Sequence, residues 1–258
     1  MGVINVTPDS FSDGGKALDP LAARDIAQAM EASGADILDI GAESTRPGAK
    51  PVSSVEELSR LLPVLKAITH RVRIPISIDS YKADVAITAL DYGASIVNDI
   101  SAFEYDAQLG PMVAARGAPA ILMHTRGRPE DMYAHANYDD VVNDVMSDLK
   151  RAVDRAIAFG ISSDRLIIDP GVGFAKRADQ SMAVLAALPR FAELGLPILV
   201  GPSRKSFMTS VTGPLPAPER DWPTAAAVTA AVLGGAHIVR VHNVEKMVHV
   251  VRVADALR

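Results

Sequence analysis

The sequence predicts a single α/β domain with the architecture of a (β/α)8 barrel, or TIM barrel. Eight short runs rich in valine, isoleucine and leucine alternate along the chain with eight stretches of helical spacing. Apolar runs of this length suit parallel strands that are covered on both faces, and the segments between them are long enough for crossover helices. The chain length of 258 residues is one that such barrels commonly reach as one unit.

The predicted elements follow one another in a regular strand–helix order. Three of the helices begin after turn or capping signals, at Asp19-Pro20, Ser53-Ser54 and Trp222-Pro223. The predicted strands lie near residues 2–6, 36–40, 75–78, 95–98, 119–123, 165–168, 197–200 and 238–241. The predicted helices lie near residues 20–33, 55–69, 82–91, 106–116, 138–159, 180–188, 222–233 and 244–257.

A doubly wound open sheet is the alternative architecture for such an alternating chain. The glycine fingerprint that binds a dinucleotide in those sheets is missing after the first strand, which disfavours this alternative. No low-complexity tract or long linker divides the sequence, so we expect one domain over residues 1–258. In a barrel of this kind the functional residues are expected at the carboxyl ends of the strands.

The composition narrows the classes of function. The contents of 48% hydrophobic and 22% charged residues are ordinary for a soluble globular protein, and the most apolar stretch, residues 225–241, is too short and interrupted to predict a membrane span. A formal net charge of -5 gives no overall attraction to nucleic acid or anionic lipid. The absence of cysteine excludes disulfides and thiolate chemistry. Because no signal-peptide pattern precedes the first strand, we expect a cytoplasmic protein.

Polar side chains follow the predicted strands. Asn5 lies at the end of the first apolar run. The segment DIGAESTRPGA starts at Asp39, inside the second apolar run, and continues beyond its end. The later strand ends carry Asp79, Asn98 with Asp99, Met123 with His124, Asp169, the segment GPSRKS with Arg204 and Lys205, and Arg240 with His242. Because the carboxyl ends of barrel strands meet at one rim, we expect these side chains to converge in space.

The converging side chains divide into two groups by charge. The cationic group contains Arg46, Arg204, Lys205, Arg240 and His242. Guanidinium and ammonium groups of this kind suit a phosphate ligand. In the second group, the carboxylates and amide of Asp79, Asn98 and Asp169 can accept hydrogen bonds from N–H donors along the edge of a polar heterocycle. A phosphorylated heterocycle would satisfy both groups.

The motifs in this order resemble those of the dihydropteroate synthase family, the sulfonamide target of folate biosynthesis. They are GVINVTPDSFSDGG, DIGAESTRPGA, SIDS followed by a lysine, VNDIS, LMH, DPGVGF, SRKSF and RVHNV, and the resemblance spans residues 2 to about 255. It implies a (β/α)8 barrel that condenses 6-hydroxymethyl-7,8-dihydropterin pyrophosphate with p-aminobenzoate, releasing pyrophosphate and 7,8-dihydropteroate. It also implies Mg²⁺ as a companion of the pyrophosphate and a homodimeric enzyme.

The resemblance further implies a role for each matching residue. The residues expected to act in catalysis are Asp79, Asp169, Lys205, Arg240 and His242. The pterin pocket would be lined by Asp79, Asn98, Met123, Asp169 and Lys205, and pyrophosphate would be bound by Asn5, Arg240 and His242. Asn5 would also ligate the metal. The p-aminobenzoate site would contain Phe11, Thr45, Arg46, Pro47, Phe174, Lys205 and Ser206.

The chemistry of the implied reaction agrees with these roles. Breaking the methylene–oxygen bond leaves positive charge on the pterin and negative charge on pyrophosphate, so the leaving group needs anion stabilisation. The arylamine is a weak nucleophile, and its alignment against a cationic carbon matters more than a strong base. We therefore expect a dissociative, SN1-like substitution. Two alternatives are a pterin-binding methyltransferase domain, in which the anion-binding residues would lack an obvious use, and a non-catalytic pterin-binding paralogue.

The sequence departs from the common family pattern at three positions. Asn243 stands where aspartate often follows RVH, Pro202 precedes SRK where a small or hydroxyl residue is frequent, and Ala175 replaces the usual second glycine of GFGK. None of these changes removes a residue assigned to the chemistry. We expect His124 and His237 to be structural histidines, because neither matches a strong motif position.

Overall fold

Eight parallel strands surround the centre of the fold within residues 1–7 and 19–258, the part of the chain that the computed structural model describes. Their bounds are β1 Gly2–Asn5, β2 Leu38–Gly41, β3 Ile76–Asp79, β4 Ile96–Asp99, β5 Ala120–Met123, β6 Leu166–Asp169, β7 Leu199–Val200 and β8 Ile238–Val239. Each lies at or within two residues of a strand predicted from the sequence.

The strands close into a ring. Strands β1 to β6 pair in chain order as one sheet, and β7 pairs with β8. Isolated bridges join the two parts, since Gly2 of β1 pairs with Val241 just after β8, and Ile168 of β6 pairs with Ile198 just before β7. A hydrogen bond of 3.1 Å from the Val3 N–H to the Val241 carbonyl supports the first seam. The fold is therefore the predicted (β/α)8 barrel and not an open sheet.

Helices follow the strands and form the outer layer. They are α1 Pro20–Ala32, α2 Ser54–Ile68, α3 Ala83–Asp91, α4 Leu109–Arg116, α5 Val141–Ala158, α6 Ala178–Ala186, α7 Thr209–Thr212, α8 Asp221–Leu233 and α9 Val244–Leu257. Two predicted capping signals are confirmed, because Asp19 accepts a hydrogen bond from the Ala22 N–H and Ser53 accepts one from the Glu56 N–H. The four-residue α7 is the one helix here that the sequence did not predict. No helix in these described ranges has both the length and the apolar character needed to cross a membrane.

The inner face of the barrel has an apolar lower layer and a polar upper layer. We call the lower layer the barrel floor; it contains Met1, Ile37, Ile96, Ile121, Ile167, Leu199 and Ile238. Side chains alternate along a strand, so the residue two positions beyond a floor residue also points inward, closer to the carboxyl end. Those residues include Asp39, Asn98, Met123, Asp169 and Arg240. The outward-facing strand residues pack against the helices in two larger clusters.

Candidate active site

The upper layer brings together the predicted residues from six neighbouring strand ends. Asn5 is in register with Gly41, Gly41 with Asp79, and Asp79 with Asn98. On the far side of the same sheet, Met123 is in register with Asp169. Asn98 is in register with Ile121, so Met123 and Asp169 lie two positions further along their strands. All these residues lie at the carboxyl ends of the strands, around one rim.

Arg240 spans the barrel interior from the end of β8 to the second and third strands. Its Nε donates to Oδ2 of Asp39 at 2.6 Å, and its Nη2 donates to Oδ2 of Asp79 at 2.7 Å. Asp39 is fully buried, and its Oδ2 also accepts a hydrogen bond of 3.1 Å from Nδ2 of Asn98. Burial raises the pKa of Asp79 to about 7, with Arg240 opposing the rise and Asp39 adding to it. The two aspartates fix the direction of the guanidinium.

Three side chains of the pocket keep an oxygen that is not engaged by the described residues. Asp79 uses Oδ2 for Arg240, Asn98 uses its amide nitrogen for Asp39, and Asp169 uses Oδ1 to accept a hydrogen bond of 2.7 Å from the Gly171 N–H. Burial raises the pKa of Asp169, and the nearby Lys205 opposes this rise. The second oxygen of each side chain can accept a hydrogen bond from a ligand.

Lys205 lies beside this group of acceptors. Its Nζ donates to the Val172 carbonyl and lies 4.4 Å from the ring centroid of Phe174. Burial lowers the pKa of Lys205 to about 8, while Asp169 raises it. Ser206, the next residue, is exposed. Lys205, which is predicted for both substrate sites, thus lies against Phe174, a predicted p-aminobenzoate residue.

His242 lies in the cationic part of the site. Its Nδ1 is 3.0 Å from Oγ of Ser203, which also accepts a hydrogen bond of 3.2 Å from the His242 backbone N–H. Burial lowers the pKa of His242 to about 3, and positive charge from Arg240, Arg204, Arg46 and Lys205 lowers it further, in that order. Positive charge from four of the predicted cations therefore acts on this imidazole, and one of them, Arg204, is also paired with Asp221 at 3.1 Å.

The loop after β2 carries the three predicted p-aminobenzoate residues Thr45, Arg46 and Pro47. Thr45 is half-buried, whereas Arg46 and Pro47 are exposed. The loop is held from below by Glu43, whose Oε1 accepts a hydrogen bond of 2.5 Å from the Tyr81 hydroxyl and whose Oε2 forms an ion pair with Lys82. The remaining predicted member, Phe11, lies outside the described residues.

An apolar wall separates the acceptors from the rim loops. Met123, Tyr81 and Ile100 form a buried cluster, and Phe174 and Tyr105 pack against it. The Tyr81 and Tyr105 rings meet edge to face with centroids 5.2 Å apart. Met123 and Phe174, two of the predicted residues, are therefore close to each other, as a pocket for two adjoining rings requires.

Asn5 is the predicted metal ligand. It is half-buried at the rim, and no hydrogen bond from the described residues reaches its side chain. Among residues 1–7 and 19–258, no group of three or more His, Cys, Asp or Glu side chains could hold a metal ion. A single amide oxygen beside a cationic anion site fits Mg²⁺, which prefers oxygen ligands and is often bound through one protein oxygen together with substrate phosphates.

Two contributors to the site were not assigned a role from the sequence. Asp39 orients Arg240 and Asn98; a charged residue inside the apolar run LDIG is a signal that could have pointed to it. Lys176 is only 1% exposed, and its Nζ lies 2.8 Å from Nδ1 of His124. Lys176 is the lysine of the GFGK pattern, but that pattern alone does not indicate whether the side chain is buried.

The remaining predictions have clear outcomes. His124 and His237 are held by hydrogen bonds, the latter through Nδ1, which accepts from the Ile198 N–H at 3.1 Å. Asn243 caps α9 by accepting a hydrogen bond from the Lys246 N–H. Ala175 has a φ of 46°, the left-handed conformation that favours glycine, which accounts for the glycine common at this position in the family.

Comparisons with known proteins show which family this chain resembles over its whole length. A family model described as pterin binding enzyme matches residues 1–242. The dihydropteroate synthase of Synechocystis sp. is 46% identical over 257 residues, which cover 100% of this chain and 89% of that protein. The structure of the Yersinia pestis dihydropteroate synthase with a sulfonamide drug complex has a TM-score of 0.94 and 38% identity, covering 100% of this chain and 93% of that one. The Xanthomonas albilineans enzyme with 4-aminobenzoic acid has a TM-score of 0.92 and 40% identity, covering 99% and 91%.

Proposed function

The chain belongs to the pterin-binding enzyme family, and from this premise we propose how its barrel rim carries out the dihydropteroate synthase reaction of folate biosynthesis. The enzyme is a transferase. It joins p-aminobenzoate to the methylene carbon of 6-hydroxymethyl-7,8-dihydropterin pyrophosphate, and the products are 7,8-dihydropteroate and pyrophosphate.

The pterin binds in the upper layer of the barrel. Asp79, Asn98 and Asp169 accept hydrogen bonds from the ring N–H and amino groups through their unengaged oxygens. Lys205 donates to an acceptor on the ring, and Met123 contacts one of its faces. This placement is supported by the three acceptor oxygens of Asp79, Asn98 and Asp169 around one rim. Each can receive a hydrogen bond from an N–H or amino group of a fused heterocycle.

The pyrophosphate binds in the cationic part of the site. Arg240 and His242 lie on this side, and Arg240 is already oriented by two aspartates. Asn5 would hold Mg²⁺ through its amide oxygen. The metal, when bound, neutralises charge on the leaving pyrophosphate. The carrying observation is the orientation by Asp39 and Asp79 of Arg240, which lies two positions before His242. The lowered pKa of His242 agrees with positive charge at this place, which suits a strongly charged anion.

The p-aminobenzoate binds above the pterin. Its ring packs against Phe174, and its carboxylate is held near Lys205 and Ser206. Thr45, Arg46 and Pro47 close the site from the loop after β2, and the family resemblance assigns Phe11 to the same aryl site. The exposed positions of Arg46 and Pro47 suit residues that meet a ligand at the mouth of the pocket.

The substitution is dissociative. The bond between the methylene carbon and the pyrophosphate oxygen breaks first, and its electron pair leaves with the pyrophosphate. Asp79 and Asp169 stabilise the resulting pterin cation, while Arg240 and His242 stabilise the anion. The arylamine nitrogen then donates its lone pair to the methylene carbon and loses one proton. Alignment of the two substrates supplies much of the rate enhancement.

The direct test supplies both substrates and Mg²⁺ to the purified protein and follows dihydropteroate and pyrophosphate. Equal amounts of the two products are expected, and their absence with folded protein would rule out the proposed reaction. The variants Lys205→Ala and Asp169→Asn should each lower kcat by roughly 10²-fold or more, as expected for electrostatic groups at the reacting centre. Near-normal rates in both variants would contradict the assigned roles.

The working form proposed here is a cytoplasmic homodimer. The family resemblance supports this assembly, and Trp222 at the start of α8 is 86% exposed in the single chain, as an interface residue would be. Sedimentation velocity of the wild type and of Trp222→Ser tests the proposal. A monomeric wild type would exclude it.

A further inference from the structure

Lys176 is the most deeply buried lysine in the described part of the chain and belongs to the segment that follows β6. Only 1% of the residue is exposed, although a lysine is almost never buried to this extent without partners. Its Nζ has three close acceptors: Nδ1 of His124 at 2.8 Å, and the carbonyl oxygens of Gly171 and Phe174, both at 3.1 Å. A fourth and more distant acceptor is the His124 carbonyl at 3.5 Å. Burial lowers the pKa of Lys176 well below its ordinary value, and the N–H groups of the amino group can donate to these acceptors.

The contacts join two rim loops. Gly171 and Phe174 belong to the loop of residues 170–175 after β6, which we call the β6 loop, whereas His124 directly follows β5. The far side of the His124 ring is also fixed, since Nε2 lies 3.0 Å from Oδ2 of Asp148 on α5. The imidazole therefore accepts from Lys176 through Nδ1 and donates to Asp148 through Nε2. A continuous chain of contacts runs from α5 to the inside of the β6 loop.

The side of the β6 loop that faces away from Lys176 contacts the residues assigned to the chemistry. The Gly171 N–H donates to Asp169, the Val172 carbonyl accepts from Lys205, and the Phe174 ring lies against the Lys205 ammonium. Each contact depends on the direction of one peptide or ring of the loop. The carbonyls of Gly171 and Phe174 turn inward to Lys176, and this orientation sets the direction of the neighbouring groups that face the site.

We propose that Lys176 is a positioning residue of the synthase reaction: by holding two carbonyls of the β6 loop and His124, it fixes the placement of Asp169, Lys205 and Phe174 at the junction of the two substrate sites. This role rests on the proposed function. Lys176 lies on the inner side of the loop, so it acts through the loop and touches neither substrate. Misplacement of reacting groups by about 1 Å can lower a rate by about 10²-fold, and the amino group is what prevents it here.

The test uses the absence of cysteine from the chain. Lys176→Cys introduces one thiol, which can be alkylated in guanidinium chloride before refolding. Alkylation with 2-bromoethylamine restores a lysine analogue whose sulfur replaces one methylene, and alkylation with 1-bromopropane gives the same chain with methyl in place of the amino group. Lys150→Cys, at an exposed position on α5, receives both treatments as the matched control. Wild type is refolded alongside.

The aminoethyl protein is expected to recover most of the kcat of refolded wild type. The propyl protein should show kcat lowered by about 10-fold or more per folded molecule, with raised KM for both substrates, and both Lys150 derivatives should match wild type. A propyl protein with wild-type kinetics would overturn the inference, as would an aminoethyl protein as inactive as the propyl one. Wild type that was never unfolded is assayed in parallel, and its inactivity would instead count against the proposed function.

A second variant covers the case in which the propyl protein does not refold. Lys176→Arg keeps a long side chain with N–H donors, but its planar fork cannot reproduce the directions in which the lysine amino group donates. It should fold with near-native circular dichroism and still show the lowered kcat. Wild-type kcat and KM in this variant would show that the loop geometry does not depend on the lysine.

Discussion

Replacing Gly171 by alanine tests how closely the β6 loop packs on the strand end beside it. Gly171 has a φ of 66°, and a Cβ atom added there would lie 2.0 Å from the His124 carbonyl oxygen. This oxygen belongs to the backbone and cannot rotate away, because the His124 N–H is bonded to the Asp169 carbonyl at 2.9 Å. Either the loop or the β5 end must move.

Gly195 provides a control with the same backbone strain. Its φ is 69°, and an added Cβ would meet nothing within 4 Å. Alanine in the left-handed conformation costs about 1–2 kcal/mol at either position. Overpacking against fixed atoms adds about 1–3 kcal/mol at Gly171 alone. The free energy of unfolding should therefore fall by about 2–5 kcal/mol for Gly171→Ala and by about 1–2 kcal/mol for Gly195→Ala.

Guanidinium unfolding curves measure both changes, and steady-state rates follow the effect on activity. Gly171→Ala should lower kcat because Asp169 and Lys205 both contact this loop, whereas Gly195→Ala should leave kcat unchanged. Equal losses of stability in the two variants would refute the packing argument. A stable Gly171→Ala with normal kcat would also refute the view that the loop orients the site.

Three further predictions concern other parts of the site. Asp39→Asn keeps an acceptor for Arg240 but replaces a charge-assisted hydrogen bond by a neutral one and leaves the buried guanidinium with less compensation. The free energy of unfolding should therefore fall by about 2 kcal/mol; an unchanged urea midpoint would contradict this. For His242, a bound anion offsets the surrounding positive charge and raises the lowered pKa, so binding takes up a proton. Calorimetry at about pH 6 in two buffers of different ionisation enthalpy should therefore show proton uptake when inorganic pyrophosphate binds, with less uptake in His242→Asn; equal uptake in both proteins would exclude this coupling. Phe11→Ala should raise the KM of p-aminobenzoate more than that of the pterin, and an equal effect on both would argue against its place in the aryl site.

The sequence predicted the residues at the strand ends well because the barrel itself determines where they go. A short apolar run marks a strand, and the carboxyl ends of parallel strands meet at one rim, so Asp79, Asn98 and Asp169 could be brought together without coordinates. Their types then indicated a heterocycle. The motifs added the substrate, since the opening segment and the STRPG and SRKS segments occur together in one family.

The contacts across the interior could not be predicted in the same way. Arg240 and Asp39 are separated by 201 positions, and their pairing depends on side-chain directions that the strand pattern does not contain. Arg240 therefore looked like a free anion ligand, whereas it is also the partner of two carboxylates. The burial of Lys176 could not be predicted for a related reason. Its burial follows from the left-handed turns at Gly171, Gly173 and Ala175, which bring carbonyls toward one point.

The barrel floor closes one end of the barrel, so the site opens only at the rim. Because Met1, Ile96, Ile121 and Leu199 fill the lower interior, a molecule cannot pass through the barrel and must enter and leave at the rim. In the proposed arrangement the pterin lies deeper than p-aminobenzoate and has to bind first. The joined product has to leave past the same loops. Because substrates enter and product leaves on the same side, the rim has to be open in every turnover. A compound that binds at the mouth of the pocket would therefore inhibit the enzyme without resembling either substrate.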